Sequence, residues 1–169
     1  RPGEYGLVTL HRPANVDREE VLKKIVSGLC NVAEQVPMVF PVHPRTRKCL
    51  EKTGRLSDLN ASPQMHLVEP LGYISFMNLV FNSRLVITDS GGIQEETTYL
   101  GIPCLTLRPN TERPITITQG TNRLCNPENF LEEFSKALKS RPGQGEAIEF
   151  WDGQTAGRVV ESIGEFLAK

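Results

Sequence analysis

A serine and two glycines, Ser90-Gly91-Gly92, separate an apolar run from a segment with helical periodicity. Such a turn leaves the first N–H groups of the helix without intrahelical partners, and the positive end of the helix dipole lies behind them. Because glycine has no Cβ atom, an oxygen-rich group can approach this backbone closely. We therefore predict an anion site of the kind that holds a diphosphate, with an ordinary strand-to-helix turn as the alternative.

Two carboxylates, Glu95 and Glu96, follow these glycines by about one helical turn. Carboxylates near the start of a helix interact favourably with the helix dipole, but they would repel a bound anion. A ribose diol presents two O–H donors that a single carboxylate can accept. We therefore predict that one of the two, Glu96 or Glu95, binds sugar hydroxyls and that the other lies on a solvated face.

Histidine and arginine side chains follow two other apolar runs. His11-Arg12 comes after residues 7–10, and His43 comes after residues 38–42. An imidazole exchanges a proton near neutral pH, and a guanidinium is a fixed cation that suits phosphates. Their places at predicted strand ends favour contact with a ligand. The alternatives are a surface pair for His11 and Arg12, and a turn that simply caps the next element for His43.

The sequence leaves the roles of two further groups open. Arg108 and the run Thr111-Glu112-Arg113-Pro114 either pair with each other or reach a phosphate. Tyr73 and Phe76 lie one turn apart on a predicted helix. Core packing is the favoured interpretation for these two aromatic residues, and a flat face on which a base stacks is the alternative.

Apolar runs separated by segments of helical periodicity predict an alternation of strands and helices. We predict strands at residues 7–10, 38–42, 66–68, 84–88, 103–107 and 124–125. We predict helices at residues 17–36, 44–53, 73–82, 93–100, 127–139 and 155–167. Asp17 is expected to start the first helix and Gly101 to cap the fourth, and a Gly/Pro-rich break is expected at residues 141–145.

Continuous apolar runs, rather than a two-residue alternation, favour a parallel sheet that is covered on both faces. The predicted fold class is therefore α/β, a Rossmann-like parallel sheet with helices on both faces, in a single domain over residues 1–169. In such a sheet the ligand lies beyond the carboxyl ends of the strands. The loops that carry His11, His43 and residues 90–92 should meet there.

The composition excludes several classes of protein. The chain has 169 residues and a formal net charge of -1, so it lacks the excess of Lys and Arg that binding to nucleic acid or an anionic membrane requires. No stretch approaches the roughly 20 apolar residues of a membrane span.

The four cysteines form no C-x-x-C pair, which predicts reduced packing residues in a cytoplasmic protein rather than a zinc site or disulfides. The chain opens at Arg1 rather than at a Met and enters an apolar run within a few residues, so we expect a fragment of a longer protein and no signal peptide.

Several segments resemble the non-hydrolysing UDP-N-acetylglucosamine 2-epimerases. The most specific is the string Thr88-Asp89-Ser90-Gly91-Gly92-Ile93-Gln94-Glu95-Glu96. The others are Thr9-Leu10-His11-Arg12-Pro13, Val42-His43-Pro44-Arg45-Thr46, Leu100-Gly101-x-Pro103 and Thr111-Glu112-Arg113-Pro114. The resemblance covers nearly the whole chain and corresponds to the carboxyl-terminal half of that family.

This resemblance implies one half of a GT-B type enzyme, in which two Rossmann-like domains face each other across a cleft. It implies interconversion of UDP-GlcNAc and UDP-ManNAc by elimination and re-addition of UDP, and we expect no metal or other cofactor. His11 matches the histidine implicated in catalysis. The implied UDP contacts are the backbone of Ser90, Gly91 and Gly92 on the diphosphate, Glu96 on the ribose, Phe76 on the uracil, and Arg113 near the phosphates. From their positions alone, Arg12 and His43 are also expected to bind the substrate.

The resemblance also implies partners for this chain, and it implies that the chain alone is inactive. We expect an amino-terminal domain in the same chain and a homodimer when full-length, acting in polysaccharide biosynthesis. The carboxylates that act at C2 of the sugar belong mostly to the other half, so the fragment alone is expected to be inactive. The alternatives are a GT-B glycosyltransferase or a hydrolysing epimerase using UDP-GlcNAc, and a nucleotide-sugar sensing module. Residues 43–46 depart from the H-x-N-P loop of members activated by their own substrate, so such activation is not implied.

Overall fold

A six-stranded parallel sheet forms the centre of the fold. The computed structural model describes residues 1–140 and 148–168. The strands are β1 (Gly6–Thr9), β2 (Met38–Pro41), β3 (Met65–Val68), β4 (Leu85–Thr88), β5 (Cys104–Leu107) and β6 (Asn122–Cys125). Their order in the sheet is β3-β2-β1-β4-β5-β6, and every neighbouring pair is parallel.

Helices cover both faces of this sheet. They are α1 (Pro13–Val16), α2 (Glu19–Ala33), α3 (Pro44–Lys52), α4 (Leu56–Ala61), α5 (Tyr73–Phe81), α6 (Gly91–Tyr99), α7 (Ile115–Thr118), α8 (Phe130–Lys139) and α9 (Thr155–Leu167). Leu7 of β1 packs in a smaller core cluster with Val80 of α5. Its neighbour Val8 packs in a larger cluster with Leu29 of α2 and Phe130 of α8. Successive strand residues therefore point to opposite covered faces, and the predicted α/β fold is confirmed.

The direction of the connections reverses between β1 and β4. From β1 the chain adds β2 and then β3 on one side, and afterwards it crosses to the other side and adds β4, β5 and β6. Thr9 at the end of β1 lies in register with Thr88 at the end of β4. The loops after these two strands therefore leave the sheet side by side, at the point where α/β sheets form a ligand crevice.

The first long helix does not begin at Asp17, so this prediction was wrong. Pro13 starts the separate short helix α1, since its fixed φ suits a first helical position, and Asp17 lies at the carboxyl end of that helix. Helix α2 then begins at Glu19. The Asp17 carboxylate accepts hydrogen bonds from Arg45, at 3.0 Å from Nε and 2.9 Å from Nη2, instead of capping a helix.

The short helices α1, α4 and α7 were not predicted, because so few residues carry little periodicity. The remaining elements lie within a few residues of their predicted bounds. The predicted cap at Gly101 is confirmed: its φ is 68°, and the N–H groups of Gly101 and Ile102 donate to the carbonyls of Thr98 and Thr97. The predicted break at residues 141–145 lies outside the described residues. Among those described, no helix combines the length and the hydropathy needed to cross a membrane.

Candidate functional site

The carboxyl ends of β1 and β4 are joined by one buried carboxylate, Asp89. Its side chain is fully buried and accepts hydrogen bonds from the backbone N–H of His11 at 3.1 Å and of Arg12 at 2.9 Å. The Asn15 amide donates to it at 3.1 Å and also donates to the Leu107 carbonyl at 3.0 Å. Asp89 therefore fixes the start of the loop after β1, and with it His11 and Arg12, against the start of the loop after β4.

His11 and His43 lie next to each other, as the strand-end argument predicts. Their ring centroids are 5.8 Å apart. The His11 side chain is 40% exposed, and its Nδ1 lies 2.9 Å from Asp89 Oδ1. His43 caps α3, because its Nδ1 accepts from the Arg45 N–H at 3.2 Å. The capping interpretation of His43 is thus confirmed, and the cap also fixes the imidazole beside His11.

Helix α6 begins at the glycine pair and presents a bare amino terminus. Ser90 is its N-cap residue, but no side chain of the described residues caps this end by a hydrogen bond. Neither glycine has a positive φ among the described residues, so backbone strain does not account for them. Within residues 1–140 and 148–168, a Cβ atom on Gly92 would meet nothing within 4 Å, and one on Gly91 would only touch a Glu112 oxygen at 4.0 Å. The glycines therefore keep open the space in front of the first N–H groups, which is the geometry an anion needs.

The two carboxylates of α6 point to different partners. Glu95 Oε2 lies 2.9 Å from Arg113 Nε, a charge contact that is too bent to count as a hydrogen bond. Glu96 Oε1 accepts from the Tyr73 hydroxyl at 3.0 Å. Its other oxygen, Oε2, is buried and has no hydrogen-bond partner within residues 1–140 and 148–168. A buried carboxylate oxygen without a donor is costly, which makes Glu96 Oε2 a candidate acceptor for a hydroxyl outside the protein.

The aromatic pair on α5 divides between two environments. Phe76 is half-buried and packs against the smaller core cluster, whereas Tyr73 is 68% exposed. Core packing was therefore the wrong interpretation for Tyr73. Its hydroxyl instead donates to Glu96, and this hydrogen bond raises the pKa of the Tyr73 phenol.

The charged loop after β5 begins with Arg108, which pairs within the loop. Arg108 is buried, and its guanidinium forms a bidentate pair with Glu112, with Nη1 2.8 Å from Oε2 and Nη2 2.5 Å from Oε1. The hydrogen bonds from Arg108 lower the pKa of Glu112 to about 2. Arg108 is thus paired internally. Arg113, whose side chain is 42% exposed, is the more accessible cation of this loop.

A cavity of about 280 Å³ adjoins Arg108 at the carboxyl ends of β5 and β6. Its lining includes Asn15, Leu124, Asn126 and Asn129. Asn15 is the same residue that donates to Asp89 and the Leu107 carbonyl. The cavity therefore opens at the same edge of the sheet as the histidine pair.

A buried polar network holds the charged loop against α6. The fully buried Gln94 donates to the Ser90 carbonyl at 3.1 Å, and its Oε1 accepts from Thr111 at 2.6 Å and from Asn122 at 3.0 Å. Asn122 in turn accepts from Thr106 at 2.6 Å. No local pattern of residues indicates this network, because its members are far apart in the chain. It fixes the position of the loop that carries Arg113.

We expect Asn122→Leu to lower the free energy of unfolding by about 2–3 kcal/mol, since the change leaves the buried Thr106 hydroxyl without its acceptor. Urea unfolding followed by circular dichroism measures this loss. The matched control is Asn31→Leu on the exposed face of α2, which should change stability by no more than about 0.5 kcal/mol. Equal effects of both changes would contradict the assigned role of the network.

The cysteines fit the packing role predicted for them. Cys104 and Cys125 are buried, and burial raises the pKa of their thiols to about 11 and about 12. Cys30 and Cys49 are half-buried, and all four thiols are free. No group of three or more possible metal ligands occurs in the part of the chain that the structure describes.

Comparison with known proteins identifies the family. A family model described as UDP-N-acetylglucosamine 2-epimerase matches residues 1–164. The chain belongs to this family. A UDP-N-acetylglucosamine 2-epimerase of Methanococcus maripaludis is 41% identical to it over 95% of this chain and 44% of the relative.

Solved structures of the UDP-GlcNAc 2-epimerase from Methanocaldococcus jannaschii share the fold of this epimerase-family chain. One is 36% identical, with a TM-score of 0.87 over 96% of this chain and 46% of the other. The second, in complex with UDP-GlcNAc and UDP, is 38% identical, with a TM-score of 0.85 over 95% of this chain and 45% of the other. The chain therefore spans about half the length of the epimerases it matches.

Proposed function

We propose that this chain is the UDP-binding, carboxyl-terminal half of a GT-B type enzyme that interconverts UDP-GlcNAc and UDP-ManNAc. The observation that carries the proposal is the uncapped amino terminus of α6, kept open by Gly91 and Gly92. It lies directly after β4, next to the loop that holds His11. A helix terminus of this kind suits a diphosphate, and an imidazole beside it can exchange a proton with the same ligand.

In this proposal each part of UDP is bound by its own group of residues. The backbone of Ser90, Gly91 and Gly92 holds the diphosphate, with Arg113, Arg12 and His43 around it. Glu96 accepts the ribose hydroxyls through the oxygen that has no partner among the described residues. Phe76 contacts the uracil face from α5. The pairs Glu95–Arg113 and Tyr73–Glu96 support this assignment, because each orients one of the proposed contact residues.

The proposed reaction proceeds by elimination and re-addition. A base removes the proton at C2 of the sugar while the C1–O bond breaks, and the bonding electrons leave with the UDP diphosphate. The product is a 2-acetamidoglucal, to which UDP adds again after C2 is reprotonated on the opposite face. The residues of this chain stabilise the departing diphosphate at α6, and His11 exchanges a proton at the reacting groups.

The remaining requirements fall to the rest of the full-length protein. We propose that an amino-terminal Rossmann-like half supplies carboxylates near C2 and closes the cleft. We further propose that the full-length enzyme is a cytoplasmic homodimer. Neither half alone then holds the complete reaction site.

Titration calorimetry and a product assay test the proposed function. The chain of residues 1–169 should bind UDP, and UDP-GlcNAc incubated with it should yield little or no UDP-ManNAc. The full-length protein that contains this chain should form UDP-ManNAc and introduce solvent deuterium at C2, which a glycosyltransferase would not do. Absence of heat with UDP, or rapid epimerisation by the 169-residue chain alone, would refute this division of roles.

A further inference from the structure

The buried carboxylate of Asp89 is surrounded by hydrogen-bond donors. Its Oδ2 accepts from the N–H of His11 at 3.1 Å, the N–H of Arg12 at 2.9 Å and the amide of Asn15 at 3.1 Å. Its Oδ1 accepts from the His11 N–H at 3.2 Å and lies 2.9 Å from His11 Nδ1. A carboxylate oxygen that faces so many N–H groups offers lone pairs, and two lone pairs facing each other at 2.9 Å would repel, so the ring nitrogen of His11 that lies against Asp89 carries the hydrogen.

We propose that Asp89 is a positioning residue that keeps a proton on His11 Nδ1. The other ring nitrogen, Nε2, is then the only one that can take a proton from a ligand or return it. The side chain of Asp89 is completely buried, whereas that of His11 is 40% exposed. Asp89 therefore acts through His11, orienting its ring and favouring one tautomer, without touching the ligand.

His43 has the opposite tautomer for a similar reason. His43 Nδ1 accepts the N–H of Arg45 at 3.2 Å, and so carries no hydrogen itself in the neutral ring. Its Nε2 must then carry the proton. The two neighbouring imidazoles, with ring centroids 5.8 Å apart, thus offer a ligand one acceptor, on His11, and one donor, on His43.

The effect of this arrangement on turnover rests on the proposed function, but the tautomers do not. In a neutral imidazole the protonated nitrogen is set by the hydrogen bond that the other nitrogen makes. Asp89 and the Arg45 amide would hold the two rings in these states before any ligand binds. A reaction that needs one proton acceptor and one donor at adjacent positions would then find both prepared.

Nitrogen NMR of the 169-residue chain tests the tautomers directly. Long-range ¹H–¹⁵N correlation spectra distinguish the two protonated nitrogens, and the chain has only three histidines. His11→Asn and His43→Asn assign their signals by loss, and the exposed His66 serves as the internal reference. At a pH where the rings are neutral, we expect the proton on Nδ1 of His11 and on Nε2 of His43. A proton on Nε2 of His11 would overturn the proposal, and this measurement needs no variant of Asp89.

Asp89→Asn tests the cause of the tautomer. Because Oδ2 meets three donors, the amide oxygen should take that place and the amide nitrogen should face His11 Nδ1. The nitrogen would donate to Nδ1 and move the imidazole proton to Nε2. Asp58→Asn, at an exposed ion pair with Arg55, is the matched control and should leave the His11 spectrum unchanged. An unchanged His11 tautomer in folded Asp89→Asn would overturn the assignment.

Kinetics of the full-length protein separate positioning from a purely structural role. Asp89→Asn should reduce kcat by about 10²–10⁴-fold, the usual range for a disabled acid–base group, whereas UDP affinity should stay within about threefold. Equal losses of affinity and kcat would contradict the positioning role. If UDP fails to bind but His11 has its proton on Nδ1, the proposed function fails while the assignment of Asp89 stands.

Discussion

Replacing Gly92 with aspartate should weaken UDP binding by about 100-fold or more, which corresponds to about 2.7 kcal/mol. The new carboxylate would lie in front of the first N–H groups of α6, where the proposed diphosphate binds. Two like charges about 4 Å apart near a protein surface repel each other by roughly 4 kcal/mol, which is enough to account for the expected loss of UDP binding free energy. Calorimetric titration of the chain with UDP measures it.

Gly92→Asp should not reduce the free energy of unfolding, so its expected effect is confined to UDP binding. A Cβ at this position meets no atom of the described residues within 4 Å, and a carboxylate in the first turn stabilises a helix by about 0.3–1 kcal/mol. Gly157→Asp is the matched control, because Gly157 also lies in the first turn of a helix, α9, and a Cβ added there also meets no atom in the part of the chain that the structure describes. Unaltered UDP affinity in Gly92→Asp would place the diphosphate elsewhere.

His11→Asn should reduce kcat of the full-length protein by about 10²–10⁴-fold. An asparagine amide can still lie against Asp89, as His11 Nδ1 does at 2.9 Å, but it has no atom in the place of Nε2. Asp89 therefore keeps its donors, and the variant removes only the proton-exchanging nitrogen. Initial rates of UDP-ManNAc formation at saturating UDP-GlcNAc measure the effect.

His66→Asn is the control for this substitution. His66 lies exposed on β3, at one edge of the sheet, and its replacement should leave kcat unchanged. UDP should still bind to His11→Asn, because the amino terminus of α6 is intact. A variant that retains full turnover would exclude His11 from the reaction.

The fold was predictable because the central strands, β4 above all, are nearly continuous apolar runs that are followed by segments of helical periodicity. Residues 85–88 are buried throughout, and such a run fits only a sheet that is covered on both faces. The histidine pair followed from the same reasoning, since parallel strands end at one edge. Local sequence was therefore sufficient to place His11, His43 and the glycine pair in one crevice.

The partners of these residues could not be predicted, because they depend on register and packing. Asp89 contacts the loop after β1 only because Thr9 lies opposite Thr88. No local pattern distinguishes Glu95 from Glu96, which the structure assigns to Arg113 and Tyr73. The roles of the individual residues toward UDP remain predictions.

The bonds that Asp89 makes also set the order in which this crevice can be assembled. These bonds join residues that are 74 to 78 positions apart in the chain. The segment between them contains β2, β3 and their helices, so forming the bonds closes a loop around these elements. Contacts of such long sequence separation lose much chain entropy before they form and slow folding. During synthesis the histidine pair therefore cannot be fixed until β4 has left the ribosome, and a nascent chain that ends before it carries His11 on an untethered segment.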